Sequence, residues 1–246
     1  MKYTNEKEFT LSYTGLDKNA ELNTLYAIEL AQNLMTEYFG SFKSDNLRLK
    51  KYDNALWVLS KTKVKFFNRA SWLDQLYAKG YTIKNTALRT YIESVFYNQD
   101  NKLVFVALQE NAVIDLNTRK LRKIESVSYP SDMEYEKSVK DLSFEKLNNE
   151  FSENDFYYNQ KIYYTDIDFS SHTNNTVYIR HLINTFSSEF FTQYQIEDFE
   201  IHYLRETREG ELLSVYKKEY DNNVEFLIKS EDSEVVRAKL TFRNKN

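Results

Sequence analysis

The sequence predicts an α+β protein made of two copies of one unit, a long amphipathic helix followed by antiparallel strands. Three observations carry this prediction: two segments of helical periodicity, runs of aromatic and β-branched residues after each, and a self-similarity that repeats along the chain. Of the 246 residues 41% are apolar and 16% aromatic, enough to build packed cores, while 4 Gly and 1 Pro argue against a loop-rich or glycine-cradled phosphate-binding architecture.

The first helix is expected over residues 20–39, where Ala27, Ala31, Leu34 and Tyr38 recur at helical spacing and Gly40 offers a stop. The segment 174–191 places Ile179, Leu182, Ile183, Phe186 and Phe190 at the same spacing behind a capping Asn. NTLYAIELAQNLMTEYF from Asn23 aligns without gaps on NTVYIRHLINTFSSEFF from Asn175, an offset of 152, and the shared Asn-Thr-x-Tyr start points to an ancient duplication. Strands are expected at 56–67, 80–97, 103–109 and 112–123 in the first half. In the second they fall at 198–206, 212–220, 223–230 and 235–243, with a hairpin turn at Asn222-Asn223. The charged stretch 126–154, which holds Pro130 and has a candidate helical turn at 141–150, reads as a linker between domains 1–125 and 155–246.

The chain lacks Cys, so thiolate catalysis, thiolate metal sites and disulfides are excluded together, and a reducing cytoplasmic setting is expected. No apolar run approaches the roughly 18 residues of a membrane span, so no membrane association is expected. A formal net charge of −4 is wrong for a nucleic-acid binder, whose affinity rests on neutralised phosphates.

Acids, hydroxyls, amides and an imidazole crowd residues 165–175, Thr-Asp-Ile-Asp-Phe-Ser-Ser-His-Thr-Asn-Asn, directly before the second helix. A helix start offers unpaired N–H groups to a developing oxyanion, and a nearby His or carboxylate serves as a base on water. The same residue types also read as ordinary capping and turn chemistry. His181 and His202 have no partner at metal-ligand spacing and read as structural; neither a metal nor a cofactor is expected.

The stretch D-I-D-F-S-S-H-T-N-N resembles the D-x-D-x-N-x-H-x-N-N signature of the acyl-acyl-carrier-protein (acyl-ACP) thioesterases. Phe199–Thr207, FEIHYLRET, is similar to that family's L-E-Y-R-R-E-C strand, with Thr207 where plant members have Cys. In the first half WVLSKTKVKF from Trp57, then Trp72, Asp74 and Arg89, and VIDLNTRKL from Val113 follow the family's order. The resemblance implies a tandem hot-dog fold, each unit an antiparallel sheet around a central helix, that hydrolyses fatty acyl-ACP. It implies catalysis by Asp168, Ser170, His172 and Glu206: Asp168 supports the site, and His172 and Glu206 activate water. Ser170 departs from the family Asn, and a hydroxyl lacks amide geometry. Asn174 and Asn175 would lie by the thioester carbonyl. The first domain would hold the acyl chain along Ala27, Ala31, Leu34 and Tyr38, residues that equally read as core. Arg119, Lys120, Arg122 and Lys123 read as a solvated strand edge or as a dock for the acidic carrier protein. Hydrolysis of acyl-coenzyme A and non-catalytic binding of an acyl chain or carrier protein are the alternatives, and the chain is expected to be a monomer or a homodimer. Applied to the candidate catalytic residues, the 152-residue offset lands on Ala20 and Leu16, so the first copy is expected to lack them.

Overall fold

The structure, a computed structural model, describes residues 3–130 and 132–245. Thr4–Thr10 forms β1 although its residues are mostly polar or charged, because it is an edge strand antiparallel to β3 (Gln75–Asn85), and charged side chains suit an edge. Helix α1 spans Thr24–Ser41, capped by the Asn23 side chain, which accepts the Tyr26 N–H at 2.7 Å. It starts later than the periodicity suggests because 20–23 belong to a hydrogen-bonded loop. It also runs through Gly40, the expected stop, to Phe42 and a left-handed Lys43. A short turn α2 (Asn46–Arg48) then leads into β2 (Ala55–Phe66).

The expected single strand 80–97 is instead a hairpin, β3 and β4 (Thr90–Asn98), turned at Thr86–Arg89 without Gly or Pro. Conversely, the expected break at 110–111 is absent, and β5 runs unbroken over Leu103–Asp115 before the two-residue β6 (Leu121–Arg122). The sheet order is β1-β3-β4-β5-β2, with β6 beside β5 and all these pairs antiparallel. The apolar face of α1 lies on β1, β3 and β4. Gly80 lets β3 close on the helix, since a Cβ there would sit 3.2 Å from Leu34. Phe39 stacks on Trp57 at 4.4 Å in this unit's core.

The second unit repeats the plan. Strand β7 (Phe156–Lys161) precedes α3 (Asn175–Ile183), and a short α4 (Phe190–Gln193) leads into β8 (Tyr194–Tyr203). Strands β9 (Leu212–Glu219), β10 (Asn223–Ser230) and β11 (Ser233–Asn244) complete an antiparallel sheet in the order β8-β11-β10-β9-β7. The helix expected to reach 191 stops at Ile183. The Thr185 hydroxyl donates to the Leu182 carbonyl, and Phe186 and Phe190 turn to a cluster with Phe191, Tyr194 and Phe242 instead of continuing the helical stripe.

Compactness divides the chain into units Met1–Ser143 and Phe144–Asn246. Residues 141–150, where a helical turn was expected, have no regular secondary structure. They belong to an extended strap pinned by buried carboxylates. Glu93, fully buried on β4, accepts from Tyr81 Oη at 2.6 Å, from Val139 N at 2.8 Å and from Ser138 Oγ. Glu200 on β8 accepts the Glu145 N–H at 2.8 Å and contacts His202 Nε2 at 2.7 Å. Among the described residues no helix is long and apolar enough to cross a membrane.

Candidate active site

The cluster before α3 folds into a tight loop, closed by a Ser171 N–H to Asp168 O bond of 3.0 Å and an Asp168 N–H to His172 O bond of 2.9 Å, with Ser171 in the left-handed region at φ 67°. Asp168 sits at its centre. Its Oδ1 accepts from Ser170 N at 2.8 Å, Ser170 Oγ at 2.6 Å and, more weakly, His172 N at 3.4 Å. Ser170 Oγ also lies 3.4 Å from His172 Nδ1, and His172 Nε2 lies 3.4 Å from Glu206 Oε2. Asp168, Ser170, His172 and Glu206 therefore form one line of contacts, with the His172 and Glu206 side chains 14% and 37% exposed at its open end. Because the Ser170 hydroxyl donates its proton to the carboxylate, towards His172 Nδ1 it offers only a lone pair.

Asn174 caps α3, its side chain accepting from Thr176 N and Oγ1 at 3.0 Å each, and Asn175 opens the helix. The loop is braced from behind by Asp166, buried at 4% exposure, which pairs with Arg180 and accepts the Tyr163 N–H at 3.0 Å. A second support was not anticipated from sequence. Thr207, fully buried, contacts Thr173 Oγ1 and Tyr178 Oη through its hydroxyl at 2.7 Å each, and its carbonyl accepts from Thr173 N at 2.8 Å and Thr173 Oγ1 at 3.1 Å.

The remaining candidates lie in the first unit. Ala27, Ala31, Leu34 and Tyr38 are all fully buried, and the Tyr38 hydroxyl joins Thr82 and through it Tyr129. Burial pushes the Tyr38 phenol up, keeping it a neutral hydrogen-bonding group. Arg119, Lys120 and Lys123 are exposed around the β5–β6 turn. The Arg122 guanidinium instead ties this turn to Asp53 O at 2.7 Å and to Ser126. A cleft of about 760 Å³ opens here, lined by Arg122, Lys123, Glu125, Ser126 and Tyr129.

The structure corrects the internal register. In the first unit Asp17 N donates to Glu21 O, Ala20 N to Asp17 O and Asn23 N to Gly15 O, and Ala20 has φ 60°. These match Asp168 N to His172 O, Ser171 N to Asp168 O and Asn174 N to Asp166 O at an offset of 151, one less than the helix alignment. The counterparts of Asp168, Ser170 and His172 are therefore Asp17, Asn19 and Glu21, and Asp17 Oδ1 likewise accepts the Asn19 and Glu21 N–H groups at 2.8 and 3.2 Å. The helix alignment misled because Asn23 is itself the cap, whereas the cap of α3 is the first Asn of a pair. The next loop matches too. Leu22 N donates to Ala70 O as Thr173 N does to Thr207 O, and Leu73, at φ 68°, stands where Gly210 has φ 89°. Arg69 thus takes the place of Glu206. The first unit keeps the frame but not the His–Glu pair.

The whole chain shares its fold with two solved structures. One is an acyl-ACP thioesterase from Bacteroides thetaiotaomicron, with TM-score 0.89 and 22% identity over 98% of both chains. The other is a 12:0-ACP thioesterase from Umbellularia californica, with TM-score 0.85 and 17% identity over 100% of this chain and 99% of that one. No curated protein matches the chain in sequence. The structural likeness over the whole chain defines the fold as a tandem hot-dog. Residues 149–244, in the second unit, match the family model of the acyl-ACP thioesterase C-terminal domain.

Proposed function

We propose that the chain hydrolyses fatty acyl-ACP to free fatty acid and carrier protein, with water as the nucleophile. The observation that carries this reading is the 3.4 Å contact between His172 Nε2 and Glu206 Oε2 at the open end of the Asp168–Ser170 line. At that separation one water reaches both groups. Nε2 removes a proton as the water oxygen attacks the thioester carbonyl, Glu206 orients the water and stabilises the imidazolium, and the N-terminus of α3 faces the developing oxyanion. Collapse of the tetrahedral intermediate breaks the C–S bond, and the imidazolium returns its proton to the departing thiolate. Asp168 acts through Ser170, whose hydroxyl sets the tautomer of His172.

Two further assignments rest on the family resemblance. The acyl chain is assigned to the first unit along Ala27, Ala31, Leu34 and Tyr38, and the carrier protein to the exposed cations Arg119, Lys120 and Lys123, with Arg122 holding their turn. The test is fatty acid release from a panel of acyl-ACP and acyl-coenzyme-A thioesters by the wild type, His172→Ala, Glu206→Ala and Ser170→Asn. Release from the carrier-protein substrates, abolished in the first two variants, is the expected result. Preference for coenzyme A reassigns the carrier. Inactivity on both, reversed by Ser170→Asn, replaces the enzyme with a binding module whose site has decayed.

A further inference from the structure

The duplicated frame contains its own control. Thr173, Tyr178 and Thr207 form a buried hydroxyl chain beside the candidate site, with exposures of 5%, 2% and 0%. At the matching places of the first unit stand Leu22, Ala27 and Ala70, fully buried and without a side-chain polar atom among them. Yet the backbone bond that joins the two loops is the same, 2.8 Å from Leu22 N to Ala70 O and 2.8 Å from Thr173 N to Thr207 O. The hydroxyls are therefore not what builds the frame. They occur in the unit whose loops carry His172 and Glu206.

Donor counting gives the chain a direction. Thr173 Oγ1 donates its one proton to the Thr207 carbonyl, so Thr207 Oγ1 donates to Thr173 Oγ1, and Tyr178 Oη donates to Thr207 Oγ1. Every hydroxyl proton is placed, and the three elements that meet at the site are joined: the loop through Thr173, the segment after β8 through Thr207, and the second turn of α3 through Tyr178. Thr173 directly follows His172, and Thr207 directly follows Glu206. A slip of either backbone would open the 3.4 Å gap between Nε2 and Oε2.

We propose that Thr207, with Thr173 and Tyr178, is a positioning device that holds His172 and Glu206 in register for the water between them. The proposal rests on the hydrolytic reading above. The test replaces all three hydroxyls by shape-matched apolar groups, Thr173→Val, Tyr178→Phe and Thr207→Val together, so that no buried partner is left unsatisfied and the thermal midpoint stays close to that of the wild type. Expected is a fall in kcat of roughly 10- to 100-fold with KM within about twofold, because a misplaced pair loses transition-state and not ground-state contacts. The pH profile of kcat changes with it, and Thr207→Ser alone retains kcat within roughly threefold because it keeps the hydroxyl. A triple variant with wild-type kcat and pH profile overturns the proposal. A second readout is independent of turnover: the His172 ring resonances, assigned by their loss in His172→Ala, shift and broaden in the triple variant. If the wild type hydrolyses no thioester, the hydrolytic reading fails and these resonances decide. Signals superimposable on the wild type reject the device, and displaced ones retain it.

Discussion

His172 and His181 lie on one loop-and-helix segment yet meet different surroundings. His172 reaches the surface and Glu206, whereas His181 is buried on α3, its Nε2 has no hydrogen-bond partner among the described residues, and burial pushes its imidazole down to about 4. A folded-state value below the unfolded one means that the unfolded chain binds the proton more readily. Stability is therefore full above about pH 6.5 and falls, by at most about 3 kcal/mol, as the pH drops toward 4. Urea unfolding of the wild type and His181→Leu at pH 7 and pH 4.5 checks this, and the pH-dependent loss should shrink in the variant. At the candidate site, His172→Ala and Glu206→Gln should each lower kcat by roughly 10²- to 10⁴-fold without disturbing the fold, measured as thioester hydrolysis beside circular dichroism. Asp168, Ser170 and His172 were legible in sequence because they alternate within one short loop and carry distinctive chemistry. Thr173, Tyr178 and Thr207 were not, since buried hydroxyls look like any Thr or Tyr until the loop from Glu206 is laid against them. The missing signal was the one-residue difference between the helix alignment and the loop alignment.

At the scale of elements, the sequence was informative wherever a pattern served one face and misleading where it served two. β1 and β7 escaped notice because charged and polar edge strands lack apolar alternation. The β3–β4 hairpin was read as one strand because Thr86–Arg89 turns without Gly or Pro, and α3 was read too long because its aromatic spacing serves a cluster beyond the helix. Turns that do depend on glycine are sharply defined. A Cβ at Gly15 would lie 2.2 Å from the Tyr26 ring, so Gly15→Ala should cost roughly 1–3 kcal/mol by displacing that ring, read as a lower urea midpoint. The strap gives a second test: Glu93→Ala deprives the Tyr81 hydroxyl, the Ser138 hydroxyl and the Val139 amide of an acceptor. Roughly 3 kcal/mol of stability should be lost, and residues 136–142 should become sensitive to protease.

The molecule as a whole carries a formal charge of −4, yet it presents Arg119, Lys120 and Lys123 together around one turn of the first unit. If an acidic carrier protein docks there, kcat/KM on acyl-ACP should fall steeply between about 50 and 300 mM salt, while acyl-coenzyme-A hydrolysis changes little. Lys120→Glu with Lys123→Glu should raise KM for acyl-ACP severalfold and leave kcat unchanged. Stopped assays at several ionic strengths distinguish these outcomes from a loss of folding.

The two buried glutamates also bear on the order in which the chain assembles. Val139 and Glu145 each give their amide to a carboxylate that faces a strand, Glu93 on β4 and Glu200 on β8. Neither amide has its acceptor in place until that strand is paired within its own sheet. The strap is therefore a late-settling segment, and hydrogen exchange at Val139 and at Glu145 reports when the first and the second sheet, respectively, have closed.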